Sequence, residues 1–438
     1  MANQGKRSVF RARAQSVLVA TALCLAGSAV DAGEYKYPYH DPYLATATTA
    51  ILGADGSIPG QKREVVHVPG LPNRNHLPGL EGRGTVSITV YRQDRAAPLV
   101  FILAGIGSNA YFGLATYLAQ PLVQEGFHVV ILPSPMNWNF ALAASRTGAP
   151  GNTPDDARDL YDTMQRCLAV LKAQHRLEVT RIGFIGASLG ALEGAYLSVI
   201  DSEQRRIGID TYLLLNPPLD LAYAIKTVDT WTALSAKFGP DRSKRLIARG
   251  LGIVESFSGE DRDDHAVFDR VVKKFRSFTT DELQFLMAAA LQMALPELAS
   301  ITRTIYDPLP PTPAAKQELR RRLQFSKNET FTDYTEKLAV PLWRRQTRDP
   351  RADFGTFAER GSLASIVDRL RGNSRVHIIH NADDPLVTRA SIERLRAALG
   401  NQVTVFPYGG HLGNVWYREN KELALRLLGA APRRGGYS

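Results

Sequence analysis

Four runs of the chain, PLVFIL (98–103), FHVVIL (127–132), RIGFI (181–185) and TYLLL (211–215), are apolar without alternation, with Gly or Pro near their ends. A strand with one wet face alternates apolar and polar residues. A strand with no alternation is buried on both faces, which requires a parallel sheet covered by helices. Helical patterns at roughly 111–125, 153–175 and 189–202 fall between these runs. Strand and helix therefore alternate, and the expected core is a doubly wound, mostly parallel α/β sheet. Two earlier segments, 63–68 and 84–91, do alternate and fit an edge hairpin with one wet face.

The alternation stops near Asp220. Residues 222–358 are mostly helical and more charged, with a loop at Pro308–Pro313. Alternation resumes with a helix at 361–371, a strand at 375–380, a helix at 388–399, a strand at 402–407 and a final helix at 416–429. The expected organisation is one core in two parts, 62–221 and 359–430, with a helical cap inserted at 222–358. An irregular, Tyr-rich lead-in covers 33–61, and 431–438 is a tail.

Gly186-Ala187-Ser188-Leu189-Gly190 directly follows RIGFI and directly precedes the helical ALEGAYLSV. G-x-S-x-G is common by chance. Between a strand and a helix it is a tight turn that lifts a serine oxygen above the sheet, and the glycines relieve crowding beside it. The plainer alternative is a glycine-rich turn with no chemistry. A nucleophilic serine needs a base, and the base must follow a late strand. His411 does, in the loop of QVTVFPYGGHLGN. His377 and His380 belong to a strand and read as structural, as do His128 and His175. His40, His67, His76 and His265 lie outside the sheet's catalytic edge. The base needs an acid, and Asp384 ends the strand RVHIIH in an acidic turn, one helix and one strand before His411. Asp383 and Asp220 are the alternatives. A solvated turn or helix cap is the plainer role for such aspartates.

The chain order Ser188, Asp384, His411 is similar to that of the α/β-hydrolase superfamily. The likeness covers roughly 62–221 and 360–430, and the cap has no counterpart. Asn381 stands in the Gly slot of the family's G-x-x-D turn, where Asn tolerates a left-handed backbone. Ala104 stands in the His slot of the family's His-Gly loop, in Leu103-Ala104-Gly105-Ile106-Gly107-Ser108. The resemblance implies an oxyanion hole from the backbone N–H groups of Ile106 and Leu189, which do not depend on side-chain identity. It implies a serine hydrolase cleaving a small-molecule or lipid carboxylic ester, esterase- or lipase-like, with no cofactor and no metal. Two alternatives use the same residues. One is an acyltransferase with another acceptor in place of water, and the other is a non-catalytic binding protein on this fold.

Four basic residues, Lys6, Arg7, Arg11 and Arg13, precede the apolar run SVLVATALCLAGSAV (16–30) and small residues before Gly33. This is the order of an export signal over 1–32, which implies a periplasmic or secreted protein. A membrane anchor is the alternative, but the run is shorter than the ~20 residues a span needs. Cys24 as a lipid-attachment site is disfavoured by Leu23, where a small residue is needed. The formal charge is +10 at pH 7. Arg320-Arg321-Arg322 and Trp343-Arg344-Arg345 concentrate part of it in the cap. They read as a solvated helix face or as a peripheral contact with an anionic membrane surface. No nucleic-acid motif accompanies them. Cys167, in a helical pattern, reads as a packed residue.

Overall fold

The four continuous apolar runs become strands of a single sheet. The structure, a computed structural model, describes residues 35–52, 58–111, 113–262, 264–310 and 314–430. The expected export signal, with Cys24, and the tail 431–438 lie outside the described residues.

The strands are β1 (Glu64–Pro69), β2 (Thr85–Tyr91), β3 (Ala97–Leu103), β4 (His128–Leu132), β5 (Val179–Ala187), β6 (Thr211–Leu215), β7 (Val376–Asn381) and β8 (Val403–Phe406). Their order in the sheet is β1-β2-β4-β3-β5-β6-β7-β8. β2 runs antiparallel to both β1 and β4, and all other neighbours are parallel. The alternating β1 has a wet face, whereas all of β4 is buried. Successive residues of β3 feed opposite faces. Leu99, Phe101 and Leu103 join one core, and Val100 and Ile102 join the other.

The first helix among the described residues is the short α1 (Pro42–Ala47), followed by a 3-10 turn (Thr48–Ile51). Helices α2 (Leu114–Gln124), α3 (Trp138–Ala143), α4 (Thr153–His175) and α5 (Leu189–Gln204) carry the crossovers as far as β6. Among the described residues the helices that follow β6 are α6 (Leu221–Phe238), α7 (Pro240–Ser256), α8 (His265–Phe275), α9 (Thr280–Gln292), α10 (Leu295–Tyr306), α11 (Ala314–Ser326), α12 (Phe331–Tyr334), α13 (Val340–Thr347) and α14 (Phe354–Gly361). The helix expected at 361–371 is a 3-10 turn followed by α15 (Val367–Leu370). α16 (Arg389–Leu399) joins β7 to β8, and α17 (Arg418–Leu427) follows β8.

The 33–61 lead-in is irregular at 35–41 and 58–61 but carries α1 and the 3-10 turn between them. Tyr35, Tyr37 and Tyr39 are buried, and Asp41 caps α1 by accepting the Tyr43 and Leu44 N–H groups, with Pro42 in the first turn. β1 and β2 are antiparallel neighbours at one edge of the sheet, as expected, joined through residues 70–84 with a 3-10 turn at Arg74–His76. Residues 281–299 span two helices. Pro296 lacks an N–H and its ring crowds the preceding turn, so α9 stops at Gln292 and α10 begins at Leu295.

Candidate active site

Ser188 sits between β5 and α5 with φ 54° and ψ −123°, a backbone that L residues rarely adopt. Its N–H donates to Leu215 O at 2.9 Å, which ties the turn to β6. The flanking glycines are required by close approach. A Cβ on Gly186 would lie 2.2 Å from Gly190 O, and one on Gly190 would lie 2.2 Å from Leu103 O.

The three residues singled out in sequence meet above the carboxyl ends of the strands. His411 Nε2 is 2.8 Å from Ser188 Oγ, and His411 Nδ1 is 2.9 Å from Asp384 Oδ2. An ionised carboxylate only accepts, so Nδ1–H donates to Asp384 and Nε2 is left to accept the serine O–H. Ser188 is 8% exposed and His411 6%. Asp384 also accepts the Leu386 N–H at 3.0 Å and Asn216 Nδ2–H at 2.9 Å. Burial would raise the Asp384 carboxyl, but the facing His411 charge and hydrogen bond, with help from His380 and Asn216, hold it below the usual carboxylate range.

The other two aspartates have different partners. Asp383 accepts the N–H groups of Gly409 (3.2 Å) and Gly410 (2.8 Å), and so holds the loop that carries His411. Burial pushes its carboxyl up to about 6, against the pull of those two amides. Asp220 is exposed and caps α6 through the Tyr223 N–H at 3.0 Å. Asn381 corrects the expectation attached to it. It is not among the residues with positive φ, and it acts through its side chain. Its amide donates to Gly410 O at 2.9 Å and forms a reciprocal pair with the Asn414 amide.

Two contributors had escaped the sequence. Asn216 follows β6 in a left-handed backbone, φ 48°, and reaches both Asp384 and Gly410 O. Its one sequence signal is a polar residue at the carboxyl end of a fully apolar strand. Thr46 accepts the His411 N–H at 2.8 Å from the opposite end of the chain, and nothing local marks it. His380, by contrast, is buried and structural. Its Nδ1 accepts the Asn381 N–H and its Nε2–H faces Pro217 O at 3.1 Å, while burial pushes its pKa down. Cys167 is fully buried in α4 with its thiol pushed up to about 12.

Gly105 lies against the serine, with a Cβ built on it 3.2 Å from Ser188 Cβ. The Ser108 N–H to Gly105 O bond (3.2 Å) closes a turn around Ile106 and Gly107. Among the described residues the Ile106 N–H has no protein acceptor. The Leu189 N–H is the first of α5, where no intrahelical acceptor exists. Both side chains pack into an apolar cluster with Met287 and Leu291 of α9 and Trp138 of α3. A Cβ on Gly107 would lie 2.4 Å from Ala294 Cβ, so the α9–α10 break rests on this turn. Met293, at 71% exposure, faces solvent. Among the described residues no group of three or more His, Cys, Asp or Glu side chains could hold a metal ion.

No protein-family model and no curated protein matches the sequence. Solved structures resemble the fold. An acylaminoacyl peptidase of Pyrococcus horikoshii aligns over 87% of this chain at 10% identity, with a TM-score of 0.42. The aligned part is 44% of that peptidase, so the present chain spans less than half of its length. A fungal esterase from Rhizomucor miehei aligns over 90% of this chain and 98% of its own, at 13% identity and a TM-score of 0.42. The thioesterase domain from the curacin biosynthetic pathway aligns over 84% and 99%, at 13% identity and a TM-score of 0.36. None of these similarities bears on substrate. The strand order, the reversed second strand, and a serine, an acid and a histidine placed after β5, β7 and β8 give this chain the α/β-hydrolase fold, with no subfamily singled out.

Proposed function

We propose that the protein is a serine hydrolase that cleaves a carboxylic ester through an acyl-enzyme on Ser188. The observation that carries this reading is the unbroken chain Ser188 Oγ, His411 Nε2, His411 Nδ1, Asp384 Oδ2, with both links at hydrogen-bond distance. His411 takes the Ser188 proton as Oγ attacks the ester carbonyl. Asp384 keeps the imidazole in the required tautomer and stabilises its charged form. The Ile106 and Leu189 amides face the developing oxyanion, each contributing about 3 kcal/mol in comparable sites. His411 then returns the proton to the departing alcohol. Water, activated by the same imidazole, releases the acid and restores the serine.

Ile106 and Leu189, next to the serine, pack against the same apolar cluster as Met287 and Leu291, which supports an acyl group of apolar character. A p-nitrophenyl ester series of increasing chain length tests the reading. Turnover that requires Ser188 supports it. Adding an alcohol or amine acceptor separates hydrolysis from acyl transfer by product. No turnover of any ester by a folded protein would leave the fold as a binding scaffold.

Export also belongs to this proposal, supported by the basic, apolar and small-residue order of residues 1–32. A peripheral contact with an anionic surface is supported by the basic clusters at 320–322 and 343–345 alone, because Arg321 and Arg322 pair with Glu318 and Asp307 in the cleft they line. Sedimentation with anionic against neutral vesicles would measure it.

A further inference from the structure

The loop that carries His411 is closed only in part by its own bonds, Gly413 N–H to Gly409 O at 2.9 Å and Asn414 Nδ2–H to Tyr408 O at 3.2 Å. Gly409 (φ 147°), Gly410 (φ 55°) and Leu412 (φ 66°) place three left-handed or extreme residues around the histidine. A glycine-rich backbone loses much entropy on ordering, so the order must come from partners. Asp383, Asn381 and Asn216 supply partners for Gly409 and Gly410, and Asn381 also pairs with Asn414. The histidine's own N–H, the Gly413 carbonyl and the Trp416 ring N–H are held by the segment from Tyr35 to Ile51.

The contacts are direct. The His411 N–H donates to Thr46 Oγ1 at 2.8 Å, and the Thr46 hydroxyl donates to Pro42 O at 2.6 Å. That second bond turns the oxygen's lone pairs toward the histidine amide. Gly413 O accepts from the Tyr37 hydroxyl at 2.9 Å and lies 2.9 Å from Thr48 Oγ1, which also accepts Trp416 Nε1–H at 3.1 Å. Backbone meets backbone here. A Cβ on Gly410 would lie 2.2 Å from Pro42 O, and one on Gly413 would lie 2.1 Å from Ala45 O. The other face of α1 touches the helical insertion. Tyr43 stacks edge-on against Trp231 of α6 at 6.0 Å, and its hydroxyl accepts Gln284 Nε2–H of α9 at 2.8 Å.

We propose that Thr46 is a positioning residue for the base, and that residues 35–51 form a clasp that keeps His411 in register with Ser188. The inference rests on the reading of Ser188 and His411 as the reacting pair. The histidine ring reaches the serine only from one backbone position, and Thr46 fixes that backbone at the histidine's own amide. Displacement of a catalytic group by about 1 Å lowers rates by roughly a hundredfold. The clasp therefore acts on the chemical step rather than on substrate capture.

The test compares wild type, Thr46→Val and Thr46→Ser in p-nitrophenyl acetate turnover and in the rate of fluorophosphonate labelling. Valine keeps the shape and removes the acceptor, and serine keeps the acceptor. The expected result is a roughly ten- to hundredfold fall in kcat and in labelling rate for Thr46→Val, with KM within about twofold, and near-wild-type values for Thr46→Ser. Thr46→Val labelled at the wild-type rate, or Thr46→Ser impaired as much as Thr46→Val, would overturn the clasp. If Thr46→Val does not fold, Tyr37→Phe carries the test. It removes one hydrogen bond to Gly413 O and keeps the ring packing. A measurable fall in its labelling rate supports the clasp, and a wild-type rate rejects it. Absence of Ser188-dependent turnover in wild type would bring down the hydrolase reading and the clasp together. Wild-type turnover matched by Thr46→Val would bring down the clasp alone.

Discussion

Asp383 and Asp384 are neighbours with the same side chain, and their surroundings divide their work. Asp384 faces His411 Nδ1 and is held ionised by it, while Asp383 faces two backbone amides of the histidine loop. Asp384→Asn presents the wrong hydrogen-bonding partner to Nδ1 and should lower kcat by about ten-thousandfold. Asp383→Asn loosens only the loop and should cost far less. Asp220→Asn keeps an oxygen that can cap the exposed helix start and should leave kcat within about twofold. Steady-state kinetics on the three variants checks the ranking, and a larger loss for Asp220→Asn would contradict it. Ser188, Asp384 and His411 were legible because each occupies a turn after an identifiable strand. Asn216 was half legible, as a polar residue closing an apolar strand. Thr46 was not, because its partnership with His411 exists only once the two ends of the chain have packed.

Elements were legible in proportion to their length. Continuous apolar runs gave the central strands to within a few residues, because burial on both faces leaves no room for alternation. α1 and α3, six residues each, are too short to display a helical period, and only their caps, Asp41 and Asn137, mark them. The break at Met293 and Ala294 could be traced to Pro296, yet its consequence could not. The break brings Ala294 against Gly107, and Met287 and Leu291 pack against the same apolar cluster as Ile106 and Leu189. Leu291→Phe adds volume to this cluster and should shift the preferred p-nitrophenyl ester toward shorter chains while the acetate is still hydrolysed. An unchanged chain-length profile in the folded variant would make α9 purely structural.

The sheet is assembled from both sides of the helical insertion, so the site forms only when the whole chain has folded. Beneath it α5 carries Glu193, 1% exposed, whose carboxyl is pushed well up by burial and then by Asp156 and Asp159. A carboxyl raised in the folded state favours folding while protonated. That contribution is complete below the unfolded value of ~4.3 and is lost as pH rises through the folded value. Glu193→Gln removes the titration. Its Tm should therefore gain on wild type between pH 4 and pH 8, and a difference independent of pH would refute this account of the buried acid. At the other end of the chain, the export proposal sets the mature N-terminus near Gly33, just ahead of the clasp at Tyr35. Intact-mass measurement of the native protein reads this directly, and retention of residues 1–32 in a cytoplasmic fraction would contradict it.

The central claim is that Ser188 is the nucleophile. Its most direct test is labelling of the folded wild type and Ser188→Ala proteins with a fluorophosphonate, followed by peptide mass mapping of the adduct. The expected result is one adduct, on the peptide containing Gly186–Gly190, and none in the variant. An adduct on another serine, or wild-type labelling of Ser188→Ala, would contradict it.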